Sequence, residues 1–353
     1  MTRVSTLLSW CVPVVALALF GAGCTSSSTP QGLDGGIFRT KDSATTWEQL
    51  KVLNLGTKLG SIANVGIATL VADPQDPQTL YAGTTENGVI YSLDGGSSWV
   101  PAKGLTNGKV TSIAVDPKDK CTMYASRGNQ IHKTTNCSRD WNLTYVDTRA
   151  DIAFTSIVVD WFNPATLYVS TSNGDIFKSE NQGGAWRRVY RIDDRKITGM
   201  LIDPRDSRTV YAGTDGSGIL KTTDAGTTWD KIYTPFKDYD YAARVRAVVA
   251  DPSQAGRLYS ISKYGIIRSD DAGAAWKPLT LLTKPGAVDI KAFVVHPKNS
   301  NIIAYATDAN IVFSTDGGTT WTPKKLPTTR GIGSMMIDTS PTPNIYIGAM
   351  PAK

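Results

Sequence analysis

The stretch STDGGTTW, Ser314–Trp321, decides the fold because versions of it recur along the whole chain. Each version has a hydroxyl residue, an acid or amide two places further on, small residues that usually include glycine, and a closing tryptophan. The tryptophans are Trp47, Trp99, Trp141, Trp186, Trp229, Trp276 and Trp321, and their spacings are 52, 42, 45, 43, 47 and 45 residues. A nearly constant period of this size indicates a repeat architecture.

A second signature shares the same period. VADPQDPQTLYAGT begins at Val71 and LIDPRDSRTVYAGT begins at Leu201, and each joins a short apolar run to a turn and then to an apolar strand with an aromatic residue. Asp-Pro pairs start turns, and short β-branched runs between turns are typical of strands. A third strand such as Gly88–Ser92 follows, and the tryptophan begins a fourth. Four short antiparallel strands per period predict one propeller blade.

The two ends of the chain complete each other. Residues 33–53 supply only a third and a fourth strand, whereas residues 332–350 supply only a first and a second strand. Together they form one blade that closes the ring and removes its exposed sheet edges. We therefore predict an all-β, seven-bladed β-propeller with four-stranded antiparallel blades over residues 33–353.

The recurring turn resembles the Asp-box, or BNR repeat, of sialidases, sortilin-type receptors, xyloglucan-degrading enzymes and single-domain photosystem II assembly factors. In those families the turn is structural and lies on the face opposite the ligand site. An acid can accept backbone hydrogen bonds in a tight turn, glycine tolerates positive φ, and tryptophan buries a large area. Asn136 and Asn181 replace the acid in two copies and can hold the same turn. The resemblance implies a structural role for Asp42, Trp47, Asp94, Trp99, Asn136, Trp141, Asn181, Trp186, Asp224, Trp229, Asp271, Trp276, Asp316 and Trp321.

The amino terminus is typical of an export signal. A positively charged start precedes an apolar run from Val4 to Phe20 and small residues before Cys24. Small residues before a cysteine resemble the bacterial lipobox, although Gly21 stands where leucine is usual. We predict a lipoprotein-type signal peptide over residues 1–23, a lipidated Cys24, a flexible linker over residues 24–32 and an extracytoplasmic location at a membrane. Ordinary secretion and an uncleaved anchor are the alternatives.

Two cysteines remain within the predicted propeller. Cys121 and Cys137 lie symmetrically about Asn129, which is in a turn between two strand-like runs. In an antiparallel hairpin centred there, the two cysteines are near neighbours across the strands and within reach of a disulfide. An oxidising compartment preserves such a bond. We predict the disulfide, with a pair of half-buried thiols as the alternative.

Function is expected on the face opposite the recurring turn, here called the loop face, which carries the second-to-third hairpins and the fourth-to-first connections. The richest connection is KIYTPFKDYDYAARVR, Lys231–Arg246. Aromatic residues mixed with arginines are typical of interface hot spots, and aromatic rings also stack on sugars. Packing of the same side chains along the rim is the alternative. The candidate binding residues are Tyr190, Arg191, Tyr233, Phe236, Tyr239, Tyr241, Arg244, Arg246 and Tyr264.

Signals for catalysis are weak. Sialidases need an arginine triad with a tyrosine–glutamate pair, yet only Glu86 of the three glutamates lies away from the recurring turns. Carboxyl pairs for glycoside hydrolysis can be drawn from loop aspartates, which are also typical of solvated turns. These aspartates are Asp151, Asp193, Asp194, Asp238 and Asp240. We predict no metal and no cofactor, because no zinc spacing or phosphate loop occurs, and structural roles for His132 and His296.

Charge excludes one class of partner. A net charge of +6 on 353 residues is far from the basic stripe of a nucleic-acid-binding protein. We therefore predict a monomeric, non-catalytic propeller that displays its loop face to a protein partner or a glycan while Cys24 holds it at a membrane. The alternative is a carbohydrate-active protein, either a glycan-binding module or a glycoside hydrolase of sialidase-like or xyloglucanase-like fold.

Overall fold

The computed structural model describes residues 33–340 and 342–352, together with Met1. The chain divides into two units, Met1–Gln31 and Gly32–Lys353, and every described strand belongs to the second unit. The predicted signal sequence beyond Met1, Cys24 and the linker lie outside the described residues. In the part of the chain that is described, no helix is long and apolar enough to cross a membrane. A 3₁₀ turn, Thr234–Phe236, interrupts the β-structure.

Seven four-stranded antiparallel sheets form the second unit, which confirms the predicted seven-bladed propeller. The first strands of neighbouring blades lie side by side around the centre of the ring. Blade 1 begins with β1 (Ile37–Thr40) and β2 (Glu48–Leu50), and an extra hairpin follows as β3 (Val52–Asn54) and β4 (Leu59–Ser61). Blade 2 contains β5 (Ile67–Asp73), β6 (Asp76–Thr84), β7 (Val89–Ser92) and β8 (Val100–Pro101). Blade 3 contains β9 (Val110–Val115), β10 (Met123–Arg127), β11 (Gln130–Thr134) and β12 (Asn142–Val146).

The remaining blades repeat the same order. Blade 4 contains β13 (Phe154–Val159), β14 (Leu167–Thr171), β15 (Asp175–Ser179) and β16 (Arg187–Arg191). Blade 5 contains β17 (Ile197–Ile202), β18 (Val210–Thr214), β19 (Ile219–Thr222) and β20 (Asp230–Ile232). Blade 6 contains β21 (Val245–Ala250), β22 (Leu258–Ser262), β23 (Ile266–Ser269) and β24 (Lys277–Pro278). Blade 7 contains β25 (Ala292–His296), β26 (Asn299–Ala306), β27 (Asn310–Ser314) and β28 (Thr322–Lys325), after which β29 (Ile332–Ile337) and β30 (Ile345–Ala349) complete blade 1.

The two ends of the described chain close the ring within blade 1, as predicted. Strand β30 pairs antiparallel with β1, so that Ile37 lies opposite Gly348 and Thr40 lies opposite Ile345. The sheet order is β2-β1-β30-β29. Beside this seam, the buried Arg330 donates from Nε to Asp34 Oδ1 at 3.0 Å. The seam therefore combines a strand pair with an ion pair between the first and last parts of the propeller.

The recurring turn is held by its own side chains. Ser314 Oγ donates to Asp316 Oδ1 at 2.7 Å and accepts the N–H of Gly318 at 2.8 Å. Asp316 also accepts the N–H of Thr320 at 2.9 Å. Asn136 and Asn181 accept the equivalent N–H groups of Asp140 and Ala185 at 2.9 and 2.8 Å. An amide therefore holds this turn as a carboxylate does, because each presents one acceptor oxygen to the backbone.

Each blade buries a tyrosine from its second strand, and two of these, Tyr168 and Tyr211, donate a hydrogen bond to the next blade. In blade 5, Tyr211 Oη and Lys221 Nζ both donate to the carbonyl oxygen of Ala272 in blade 6, at 3.2 and 2.9 Å. Lys133 Nζ reaches the carbonyl oxygen of Gln182 in blade 4 in the same way, at 3.3 Å. The seven tyrosines are at most 3% exposed, and they are Tyr81, Tyr124, Tyr168, Tyr211, Tyr259, Tyr305 and Tyr346.

The hairpin β3–β4 has no counterpart in the other blades and explains the longest tryptophan spacing. The backbone N–H of Trp99 donates to Val52 O at 2.9 Å, and the backbone carbonyl oxygen of Trp99 accepts the N–H of Asn54 at 2.7 Å. The hairpin thus lies along the start of the fourth strand of blade 2. The extra residues between Trp47 and Trp99 form this hairpin, which the repeat pattern does not predict.

Cys121 and Cys137 are joined by a disulfide in blade 3. The bond links the first-to-second turn to the recurring turn, and the N–H of Cys137 donates to Cys121 O at 3.1 Å. Both turns lie at the end of the blade opposite the loop face.

Candidate functional site

The longest connection of the loop face, here called the tyrosine loop, runs from Tyr233 to Arg244 between β20 and β21. Phe236 is 1% exposed, with its ring centroid 5.4 Å from that of Trp276, and Ala242 is fully buried. The carbonyl oxygen of Ala243 accepts the N–H groups of Gly216 and Gly218 from the β18–β19 hairpin at 3.1 and 2.9 Å. Two buried side chains and one neighbouring hairpin therefore fix the course of this loop.

The fixed loop presents aromatic side chains to solvent. Tyr239 packs against Tyr264 of the β22–β23 hairpin, with centroids 5.1 Å apart. Tyr241 is 55% exposed, and Lys263 Nζ lies 5.1 Å from its ring centroid. Tyr233 is half-buried, with Lys231 of β20 and Lys237 of the loop next to its ring. The predicted residues Tyr239, Tyr241 and Tyr264 are thus brought together by two neighbouring blades.

Two predicted aromatic residues pack against a tryptophan of the next blade, and one of them is enclosed in the core. Phe236 fills the core between blades 5 and 6, where it is 1% exposed, so its ring cannot meet a ligand. Tyr190 is half-buried, with its centroid 5.9 Å from that of Trp229. Both rings cover a tryptophan of the next blade, which is why an apolar residue is needed at each position.

The three predicted arginines differ in their partners. Arg191 Nε binds Asp193 at 2.9 Å, and Arg246 bridges between blades to Asp289 at 3.3 Å and to the carbonyl oxygen of Ile290. Arg244 is exposed, and its backbone forms an isolated bridge with Asp215. Arg244 is therefore the arginine that the tyrosine loop itself directs to solvent.

A buried carboxylate in blade 4 escaped the sequence analysis. The Asp175 side chain is fully buried and forms ion pairs with Arg149 at 2.7 Å, Arg191 at 3.3 Å and Arg188 at 3.6 Å. Arg149 also binds Asp147 at 2.8 Å, and this hydrogen bond keeps the pKa of Asp147 below its usual value. The sequence did contain a signal, because Asp175 begins the third strand of its repeat, whereas in four other repeats this strand begins with an aliphatic residue. The cluster joins blades 3 and 4, and its charges are mutually neutralised.

Several loop-face carboxylates have no such neutralising partner. Asp193 of the predicted set is bound to Arg191. Among the described residues, the carboxylates of Asp238 and Asp240 in the tyrosine loop make no hydrogen bond or ion pair and are exposed. Asp215, on the adjoining β18–β19 hairpin, is a third exposed carboxylate of this kind. Sequence reasoning missed Asp215 because the bridge between this hairpin and the tyrosine loop at Arg244 is visible only in the folded chain.

The histidines have structural surroundings. Burial lowers the pKa of His132 to about 4, so its ring is neutral at physiological pH. His296 Nδ1 accepts the N–H of Lys298 at 3.2 Å, the role that Asp203 Oδ1 has for Arg205 in blade 5. In the described part of the chain, no group of three His, Cys, Asp or Glu side chains is placed to hold a metal ion.

Comparison with known proteins relates the chain to two groups. A xyloglucanase of Paenibacillus sp. is 26% identical over 192 residues, which are 45% of this chain and 19% of that protein. A Neosartorya fischeri protein named "probable oligoxyloglucan-reducing end-specific xyloglucanase" is 28% identical over 182 residues, 47% of this chain and 21% of that protein. The chain therefore matches about a fifth of the length of these curated relatives. No protein-family model matches the sequence.

Solved structures share the fold at lower identity. The Niastella koreensis GH74 enzyme matches with a TM-score of 0.64 and 19% identity, over 81% of this chain and 51% of that chain. YCF48 bound to a D1 peptide also matches with a TM-score of 0.64, at 16% identity, over 81% of this chain and 90% of that chain. At these identities the structural likeness shows the propeller fold alone.

The similarity to curated xyloglucanases overturns the prediction of a non-catalytic protein-binding scaffold. The repeats resemble both groups of proteins, so the sequence motifs alone did not separate them. The curated matches instead favour the alternative, a carbohydrate-active protein. The reasoning failed because it required a recognisable catalytic pair in the sequence, whereas the pairing of the β18–β19 hairpin with the tyrosine loop is visible only in the folded ring.

Proposed function

We propose that this protein is a glycoside hydrolase that acts on a xyloglucan-type glucan at its loop face. The observation that carries the proposal is the group of exposed carboxylates, Asp215, Asp238 and Asp240, beside the tyrosines of the tyrosine loop. The names of the two curated relatives supply the substrate class.

The chemistry requires two carboxyl groups on opposite sides of a glycosidic bond. One protonates the leaving oxygen, and the other either activates water or attacks the sugar. Asp215 and Asp240 are suited to these roles because they belong to different segments, the β18–β19 hairpin and the tyrosine loop, which meet at the bridge between Asp215 and Arg244. We assign the reaction to these two carboxylates, with Asp238 as a neighbouring negative charge.

The same proposal includes export. The disulfide between Cys121 and Cys137 supports an oxidising, extracytoplasmic location, because such bonds are rare in the cytosol. We retain Cys24 as the proposed site of lipid attachment. Metabolic labelling with a radioactive fatty acid should label the natural chain and leave a Cys24→Ser variant unlabelled, and equal labelling of both would refute the anchor.

The activity is tested by incubating the purified protein with xyloglucan and measuring new reducing ends. Asp215→Asn and Asp240→Asn should each lower the rate at least about a hundredfold, the scale of a lost acid–base group. Asp224→Asn is the matched control, because it lies in the recurring turn, where Asn136 and Asn181 perform the same task. An inactive natural protein, or unchanged rates in both site variants, would refute the proposal.

A further inference from the structure

Tyr241 has a backbone conformation that its side chain disfavours. Its φ is +64°, in the left-handed region that bulky residues avoid. Of the non-glycine residues with positive φ in the described chain, seven belong to the recurring turn and are small or polar. The other two, Asp194 and Tyr241, lie on the loop face. Aspartate visits this region with little penalty, so Tyr241 is the unexpected member.

Packing within the protein does not compensate for this conformation. The side chain is 55% exposed, and the ammonium group of Lys263 lies 5.1 Å from the centre of its ring. A glycine would follow the same backbone path without this penalty. The turn itself sets this backbone, because the N–H of Ala242 donates to Tyr239 O at 3.0 Å and the N–H of Arg244 donates to Tyr241 O at 3.1 Å, but neither bond requires a tyrosine. A bulky residue kept in a disfavoured conformation is a marker of a functional position. The conformation directs an aromatic ring away from a loop that Phe236 and Ala242 anchor in the core.

The surroundings of the ring indicate the chemistry of its ligand. A sugar ring has an apolar C–H face and a rim of hydroxyl groups. Tyr241 provides an apolar surface, while Lys263 can donate hydrogen bonds and the carboxylates of Asp240 and Asp215 can accept them. A partner that excluded water from this surface would bury the carboxylates of Asp240 and Asp215 without a counter-charge, and burying an unpaired charge is costly.

We propose that Tyr241 is a stacking platform for one sugar residue of a neutral glucan and positions the chain beside Asp240 and Asp215. The inference rests on the proposed function and deepens it, because it names the residue that fixes the register of the substrate. Tyr239 and Tyr264 form a packed pair, and their contact joins the loop that carries Tyr241 to the β22–β23 hairpin.

The decisive experiment compares thermal stability and xyloglucan affinity in the Tyr241→Gly variant. We expect the melting temperature to stay equal or rise, because glycine relieves the strain, while the dissociation constant in affinity electrophoresis rises about tenfold, equivalent to about 1.4 kcal/mol. Tyr241→Phe should retain the natural affinity because it keeps the ring. A structural role predicts the reverse pattern, with lower stability and unchanged affinity.

Ala272→Gly provides the matched control. Ala272 has a φ of +57° on the opposite face, and glycine occupies its equivalent positions in the copies at Gly95 and Gly317. This variant should gain stability without any change in affinity. If Tyr241→Gly binds xyloglucan as tightly as the natural protein, or melts at a clearly lower temperature, the platform is refuted. If the natural protein does not bind xyloglucan at all, the proposed function fails before the platform is reached.

Discussion

At the scale of single residues, one acceptor oxygen in each repeat organises the recurring turn. Asp94 illustrates this, because its carboxylate accepts the N–H of Ser98 at 2.9 Å and its hydroxyl at 2.7 Å. Sequence reasoning could predict this feature, since Asx turns depend on a short polar side chain and its near neighbours. The same reasoning could not predict which loop side chains are buried, because Phe236 and Tyr241 lie five residues apart in one polar segment. Phe236 is buried because it packs against Trp276 of blade 6, whereas Tyr241 is exposed.

Two substitutions of Asp94 distinguish what its acceptor oxygen contributes to stability from what its negative charge contributes. Asp94→Ala should lower the free energy of unfolding by about 1 kcal/mol, because the turn loses its side-chain hydrogen bonds. Asp94→Asn should remain close to the natural stability, as the natural Asn136 and Asn181 copies indicate. Urea unfolding monitored by tryptophan fluorescence measures both. Equal losses in the two variants would show that charge, and not the acceptor, holds the turn.

The aspartates of the recurring turns should make the stability of the folded protein sensitive to acid. Hydrogen bonds from the threonine four residues further on lower the pKa of Asp42, Asp224 and Asp316 from 3.8 to about 2. Since these groups are more acidic in the folded state, their contribution to stability is complete above about pH 4 and is lost as pH falls towards 2. Thermal melts between pH 5 and 2 should therefore show a steep loss of stability. A triple Asn variant should show a shallower one, and parallel curves would contradict this assignment.

At the scale of elements, cations on the third strands of blades 1, 3 and 5 form hydrogen bonds to the next blade. Lys221 Nζ lies 5.5 Å from the ring centroid of Tyr211 and donates a hydrogen bond to Ala272 O. It therefore makes a cation–π contact within blade 5 and a hydrogen bond to blade 6. The repeat pattern predicts the strands that carry these residues. It does not predict the hairpin β3–β4, because this insertion occurs in one repeat and therefore cannot be recognised from a recurring pattern.

Removing one such fastening should weaken the ring. Lys221→Met should lower the free energy of unfolding by about 1–2 kcal/mol, because it keeps the aliphatic stem and removes a charged hydrogen bond. Lys277→Met, on the exposed strand β24, is the control and should change stability by less than about 0.5 kcal/mol. Calorimetry of both variants measures the difference. Indistinguishable melting curves would show that the contact between blades contributes nothing.

At the scale of the whole molecule, the seam in blade 1 decides whether the ring stays closed. Asp34 Oδ2 accepts the N–H and the hydroxyl of Thr329 at 3.0 and 2.8 Å, in addition to its ion pair with Arg330. These bonds join residues almost 300 positions apart. The incomplete terminal repeats predict the shared blade, whereas the ion pair is visible only in the folded chain, because neither Asp34 nor Arg330 belongs to a repeated motif.

The seam is tested by Asp34→Ala, which should lower the free energy of unfolding by about 2 kcal/mol because several charge-assisted hydrogen bonds are lost. Asp193→Ala removes an exposed ion pair, and its effect should stay within about 1 kcal/mol. Hydrogen exchange should also quicken in β1 and β30 of the Asp34 variant. If exchange quickens equally in blade 4, the change is global and not a loosening of the seam.

The described ends of the chain lie where every other blade has a second-to-third hairpin. Strand β30 is a second strand, β1 is a third strand, and the N–H of Ala349 donates to Gly36 O at 2.9 Å across the gap. The ring consequently has no obligatory starting blade. A circular permutant could join residues 352 and 33 by a short linker and open instead at Gly128, where an added Cβ would meet no neighbour. Such a chain would keep every strand pair, with its new ends two blades away from the natural ones and about a third of a turn from the tyrosine loop.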